Sequence, residues 1–148
     1  GTNARPESPD MRALREQAIT VYQRPGGVED IIRANMHFAF HPDHARDAAL
    51  MQRYLDTMLR AGAPTLIRQN RAIMERPDAR LHLPSLGCPT LVVCGDTDRL
   101  TPPECSQEIA RLVPQAQLHI VPRCGHMLTL EQPAVVNTLL MDWLRALT

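Results

Sequence analysis

The chain has 148 residues, of which 44% are apolar, and its 16 basic residues balance its 16 acidic ones. The absence of net positive charge argues against a polyanionic partner such as nucleic acid. No apolar run reaches the roughly 18 residues that a membrane-crossing helix needs, so we expect no membrane partner. The 4 cysteines show neither metal-type spacing nor the density of a disulfide scaffold, which is typical of a reduced, cytoplasmic protein.

The first part of the chain carries helical periodicity interrupted by turn residues. Ser8, followed by a proline, predicts the cap of a first helix, which Pro25-Gly26-Gly27 ends before a short second helix. Asp43 is predicted to cap the next helix. Gly62 is expected to end that helix and Pro64 to begin a fourth. The pattern predicts a region built of helices alone.

Beyond this region the pattern changes to continuous, β-branched apolar runs. Residues 89–94 and 117–121 are predicted strands, with a helix opening at Pro103 between them and a final helix from Pro133. Two strands joined through a helix are expected to be parallel. The predicted fold class is therefore α/β. Its predicted parts are a helical region over residues 1–82 and a βαβα unit with parallel strands over residues 83–148.

Two polar side chains follow these strands at their carboxyl ends. Asp98 lies in the glycine turn after the first strand, and His126 follows Gly125 after the second. Because the carboxyl ends of parallel strands meet at one edge of a sheet, we expect the two side chains to lie close together. A carboxylate that orients an imidazole is the acid and base pair of nucleophilic hydrolases. We therefore predict that Asp98 and His126 are catalytic.

Other side chains compete for these roles. Asp96 lies in the same turn and is an alternative acid, although turn-forming aspartates are common. His119 falls in the middle of a strand and is predicted to be structural. Cys124 and His126 suggest a cysteine nucleophile, but closeness in sequence provides neither hydrogen-bond geometry nor an oxyanion site.

A histidine-rich stretch raises the alternative of a metal site. Its members are His37, His41, Asp43 and His44. Zinc takes three or four ligands held on fixed elements, and Pro42 interrupts any helix across this stretch. The favoured interpretation is a turn that leads into the next helix, and we expect no metal and no cofactor.

Several motifs carry a resemblance to a known family. They are residues 88–98, Thr101-Pro102-Pro103, Gly125-His126 and Glu131-Gln132-Pro133. With these motifs, the segment from Leu86 to Leu147 resembles the carboxyl-terminal end of an α/β-hydrolase, in the branch that contains enol-lactone hydrolases and related esterases. Residues 3–7 resemble the segment that enters the cap of that family, and the helices over residues 9–76 resemble the cap.

The resemblance implies a serine-type esterase or lactonase that acts on a small-molecule ester or lactone. Asp98 and His126 would be its acid and its histidine, in the family's chain order. The family's Gly-x-Ser-x-Gly turn is absent from these residues, and Ser8, Ser85 and Ser106 lack the strand–turn–helix context of a nucleophile. We therefore expect the cap and carboxyl-terminal part of such an enzyme, inactive without the part that carries the nucleophile.

A second class of function stays open. A half-fold of this kind leaves a strand edge unpaired, and such an edge is a template for another chain. The alternative is a non-catalytic interaction module that self-associates or pairs with the missing amino-terminal half. The methionines of the helical region either line an adaptable surface over a substrate or pack inside, and their periodic spacing favours packing. They are Met36, Met51, Met58 and Met74.

Overall fold

The structure, a computed structural model, describes residues 1–147. Its helices and strands are α1 (Pro9–Tyr22), α2 (Gly27–Asn35), α3 (Ala48–Met74), β1 (Leu91–Gly95), α4 (Pro103–Leu112), β2 (Gln117–Val121), α5 (Leu128–Glu131) and α6 (Pro133–Arg145). Short 3-10 turns lie at Met36–Ala39, His44–Arg46 and Leu83–Ser85. Helices alone precede β1, and after it two parallel strands alternate with helices, which confirms the predicted α/β class. The short helix α5 was not predicted.

Side-chain caps and glycines set the limits of the first three helices. The Ser8 hydroxyl accepts a hydrogen bond from the Met11 amide at 3.3 Å, as the predicted cap of α1 requires. The prediction for Asp43 was wrong, because Asp47 caps α3 by accepting from the amides of Ala49 and Leu50 at 2.9 and 3.0 Å. Asp43 lies one turn earlier, before the 3-10 turn.

Helix α3 is bent within its length. Gly62 has φ 70° and ψ 165°, a conformation that interrupts the helix and that favours glycine. Pro64 follows at once and adds a residue without an amide proton. The predicted end and restart of a helix at these positions is therefore seen as a kink inside α3.

The strands β1 and β2 form a two-stranded parallel sheet. Leu91 pairs with Gln117, and the register continues to Gly95 opposite Val121. This confirms the parallel pairing that the helix between the strands predicts. One face of β1 packs Val92 against Ile109 of α4, and Val93 on the other face packs towards α5 and α6. The apolar run therefore forms a strand covered on both sides, as its continuous pattern indicates.

Apolar packing is divided among three clusters. One joins β1 and α4 to Ala4, one surrounds Phe40 beside α3, and one joins β2 to α5 and α6. Met51 and Met74 are buried, while Met36 and Met58 are half-buried, so these side chains pack among the helices. Within residues 1–147, no helix combines the length and the apolar character that crossing a membrane requires.

Candidate active site

The loops that leave β1 and β2 meet at one edge of the sheet because the strands are parallel. Gly95 ends β1 where a Cβ atom would collide with the carbonyl oxygens of Cys124 and Gly125. The absence of a side chain at Gly95 therefore allows the loop after β2 to cross the end of β1. This close approach places the residues after each strand side by side.

The structure brings Asp98 and His126 together across these loops. The distance from Asp98 Oδ2 to His126 Nδ1 is 2.9 Å, although the residues are 28 positions apart. The Asp98 side chain has no exposed surface, whereas 28% of the His126 side chain is exposed. Since the carboxylate accepts, Nδ1 carries the proton of neutral imidazole. Nε2 forms no hydrogen bond within residues 1–147 and is left as a proton acceptor.

Asp98 is held by donors of its own loop. The amides of Leu100 and Thr101 both donate to Oδ1 at 2.9 Å, and the Thr101 hydroxyl donates to Oδ2 at 3.0 Å. Burial raises the pKa of the Asp98 carboxyl, but the hydrogen bonds from His126 and Thr101 and the charge of protonated His126 outweigh burial and lower the pKa to about 2. The carboxylate is therefore charged at every physiological pH.

The loop that carries His126 is fixed against the helical region. The His126 amide donates to the carbonyl oxygen of Ala39 at 2.8 Å. A Cβ atom on Gly125 would lie 2.7 Å from the His41 nitrogen, so only glycine permits this approach. Together these contacts make the segment around Ala39 part of the support of His126.

Asp96, the alternative acid, forms no hydrogen bond with His126 and instead bonds the neighbouring loop. It accepts from the amides of Arg123 and Cys124 at 2.9 and 3.1 Å, and from the Thr97 hydroxyl at 2.8 Å. Burial raises the pKa of Asp96, but these hydrogen bonds outweigh it, and the net pKa is lowered. His119, predicted to be structural, lies in β2 opposite Val93.

Comparison with known proteins agrees with this architecture. The sequence profile described as "Alpha/beta hydrolase family" matches residues 5–139. The chain belongs to the alpha/beta hydrolase family. Among related proteins of this kind, "Putative carbamate hydrolase RutD" from Serratia proteamaculans is 32% identical over 121 residues, which cover 80% of this chain and 45% of that protein.

Solved hydrolase structures superpose on nearly the whole chain. A thermophilic esterase from Thermogutta terrifontis matches with a TM-score of 0.89 and 30% identity, over 98% of this chain and 53% of the esterase. The enol-lactonase from Burkholderia xenovorans LB400 matches with a TM-score of 0.84 and 21% identity, over 97% of this chain and 54% of the lactonase, which shows a shared fold. The chain spans about half the length of the curated relatives it matches.

Cys124 and the three serines, weighed above as nucleophiles, form no hydrogen bond with Asp98 or His126 within residues 1–147. Cys124 is completely buried, and burial raises the pKa of its thiol to about 12, so it stays protonated at neutral pH. Ser8 caps α1, Ser85 donates to the carbonyl of His82, and Ser106 is buried within α4.

The histidine-rich stretch is engaged in separate contacts. His41 Nδ1 lies 3.7 Å from Asp43 Oδ2, and Asp43 also accepts from Arg123 at 2.7 Å. His44 instead contacts the buried Glu131 at 3.0 Å. Within the described range, 1–147, no group of three or more histidine, cysteine or acidic side chains has a geometry that could hold a metal ion.

Two residues that support the pair were not singled out by the chemistry of the sequence. Thr101 donates to Asp98, and Glu131 accepts from the amides beside His126. Both belong to motifs that carry the family resemblance, and that resemblance was the one feature of the sequence that could have indicated their importance. Threonine and glutamate are otherwise too common near helix starts and in helices to indicate such contacts.

Proposed function

We propose that this chain supplies the acid, the histidine and the cap of an α/β-hydrolase that acts on a carboxylic ester or lactone. The single observation that carries the proposal is the 2.9 Å hydrogen bond between the buried Asp98 carboxylate and the half-buried His126 imidazole. The family membership and the similarity to an esterase support the same reaction class.

His126 acts as the general base in this proposal. Its Nε2 takes the proton of a serine hydroxyl as that oxygen attacks the ester or lactone carbonyl carbon, and the C–O bond to the leaving group then breaks. The same imidazolium returns the proton to the leaving oxygen. A water molecule then repeats the attack on the acyl-enzyme and releases the acid. Asp98 fixes the Nδ1–H tautomer and stabilises the imidazolium.

The serine comes from outside residues 1–148 in this proposal. None of the serines at positions 8, 85 and 106 hydrogen-bonds Asp98 or His126, and the relatives are about twice as long as the matched region. We therefore propose that the chain alone does not hydrolyse esters. A sequence that precedes Gly1 in the family's order of nucleophile, acid and histidine would complete the site.

The helical region, predicted over residues 1–82, acts as the cap, with its helices over residues 9–76. The support for this is the contact of Ala39 and Phe40 with the His126 loop, where the helical region meets the site. Residues 1–5 instead pack towards β1 and α4 through the buried Ala4, as expected for the segment that leads into the cap. A cap at this position encloses a small, largely apolar acyl group or lactone.

A chimera tests the proposal. The part of the Thermogutta terrifontis esterase that this chain does not match is fused ahead of Gly1, and hydrolysis of p-nitrophenyl acetate and of a p-nitrophenyl carbamate is followed. We expect ester hydrolysis that is lost in His126→Ala and retained in the control His119→Gln, a histidine of β2 outside the pair. A folded, monodisperse chimera that hydrolyses neither substrate would contradict the proposal. Faster carbamate hydrolysis would correct the substrate class alone.

The state of the thiols supports a proposal for the cellular location. We propose a reducing, cytoplasmic environment, because all four cysteines are free and two of them, Cys94 and Cys124, are buried without a disulfide partner.

The non-catalytic interaction module is the second candidate function. The observation in its favour is that β1 and β2 each have one edge without a strand partner within residues 1–147. Exposed apolar side chains on α6, among them Leu140, Met141 and Leu144, add an apolar surface beside the sheet. Size-exclusion chromatography over a range of concentrations decides this point: self-association favours the module, and a dispersed monomer at high concentration counts against it.

A further inference from the structure

Glu131 is a buried carboxylate that the proposed reaction does not use. It is the last residue of α5, and its side chain has no exposed surface. A buried carboxylate without donors would cost several kcal/mol, so its partners indicate what the surrounding structure is built around. Those partners are the backbone on both sides of His126 and the segment that leads into α3.

One carboxylate oxygen of Glu131 accepts hydrogen bonds from the loop that carries His126. Glu131 Oε1 accepts from the amides of Gly125 at 3.0 Å and of Met127 at 3.1 Å, the residues on either side of His126. The amide of His126 itself donates to Ala39. Three consecutive amides are therefore fixed, and with them the direction in which the His126 side chain leaves the backbone.

The other oxygen of Glu131 accepts hydrogen bonds from the helical region. Glu131 Oε2 accepts from the His41 amide at 2.7 Å and from His44 Nδ1 at 3.0 Å. The short 3-10 turn at residues 44–46 and the loop of His126 therefore share one anchor. Movement of either one breaks hydrogen bonds to a carboxylate that has no exposed surface, so the lost bonds leave a buried charge with fewer donors.

We propose that Glu131 is a positioning residue, which holds the His126 imidazole against Asp98 and couples that contact to residues 39–44. This inference rests on the proposed function, in which the Asp98–His126 hydrogen bond orients the base. Without Glu131 the buried Gly125 amide has no acceptor, the loop relaxes, and the contact between Nδ1 and Oδ2 is no longer fixed at 2.9 Å.

The test is the exchange of the His126 Nδ1 proton with solvent, measured by NMR on the isotope-labelled 148-residue chain. His126→Ala identifies the resonance. We expect exchange to be faster by about tenfold or more in Glu131→Gln, because the amide group of glutamine places N–H against N–H at one of the two oxygen positions. Glu131→Ala should show a larger increase.

The matched control is Glu108→Gln, which removes a carboxylate from α4 that bonds Arg5 at 2.8 Å and lies outside the site. It should leave the Nδ1 exchange rate unchanged. A purely structural role for Glu131 would lower thermal stability and leave Nδ1 exchange of the folded protein as in the wild type, which would overturn the proposal.

The wild-type chain provides a measurement that does not depend on any variant. If Glu131 holds the loop, the Gly125 and Met127 amides and the His126 Nδ1 proton exchange together, since one opening releases all of them. Rapid exchange of these amides beside a protected Nδ1 proton would overturn the inference. A wild-type His126 that carries no proton on Nδ1 would instead contradict the Asp98 contact, and therefore the proposed function.

Discussion

At the scale of the residue, the sequence predicted which groups meet but not what holds them. Asp98 and His126 were expected together from two strands and their turns, and they lie 2.9 Å apart. The choice between Asp96 and Asp98 needed the structure, because both follow the same glycine and only the path of the loop decides which one faces the imidazole. The support from Thr101 and Glu131 depends on contacts distant in sequence that no local pattern encodes.

Three of the four cysteines are predicted to differ sharply in reactivity. Cys88 is exposed, whereas Cys94 and Cys124 are completely buried, and burial raises the pKa of both thiols. Labelling with a thiol reagent at neutral pH should modify Cys88 at once, and Cys94 and Cys124 only after unfolding in denaturant. Rapid labelling of Cys124 in the folded chain would contradict its exclusion as a nucleophile.

At the scale of the element, both strands and every helix except α5 were predicted from the sequence, and the position of the cap of α3 was wrong because two aspartates compete for it. Asp43 and Asp47 both precede α3, and the structure uses the one directly before its first turn. Helix α5 has only four residues, too few to show a period. The sheet was predictable because continuous apolar runs on either side of an amphipathic helix permit few other arrangements.

The contact between the helical region and the His126 loop depends on a glycine. In Gly125→Ala the new Cβ would lie 2.7 Å from the backbone of residues 40 and 41, so the two segments must separate. We expect the free energy of unfolding to fall by about 1–3 kcal/mol, as for overpacked sites. Urea denaturation measures this, with Gly87→Ala as the control because a Cβ there meets no atom within 4 Å. Equal effects of the two substitutions would contradict the close approach.

At the scale of the whole molecule, stability should depend on the charge of Asp98. Its pKa in the folded chain is about 2, below the ordinary value of 3.8, so the folded state favours the carboxylate. The stabilisation is therefore complete above about pH 4 and is lost as the pH falls towards 2, where the folded chain must also bind the proton. The shift corresponds to about 2 kcal/mol.

This pH dependence is measured by urea denaturation of the wild type and of Asp98→Asn between pH 6 and 2. The difference in the free energy of unfolding should narrow by about 2 kcal/mol towards pH 2. Asp78→Asn is the control, because Asp78 has a similar pKa but bonds Arg80 at the surface, where solvent screens the interaction. Its effect on the free energy of unfolding should change less with pH than the effect of Asp98→Asn. A difference for Asp98→Asn that stays constant with pH would contradict the stabilisation of the carboxylate by its partners.

The central claim is that His126, oriented by Asp98, is the base for a nucleophile that this chain does not carry. Its most direct measurement is the kcat of p-nitrophenyl acetate hydrolysis by the esterase chimera with and without His126. We predict that His126→Ala lowers kcat by about a thousandfold or more, while His119→Gln leaves it unchanged. An active chimera whose kcat is the same after His126→Ala would contradict the claim.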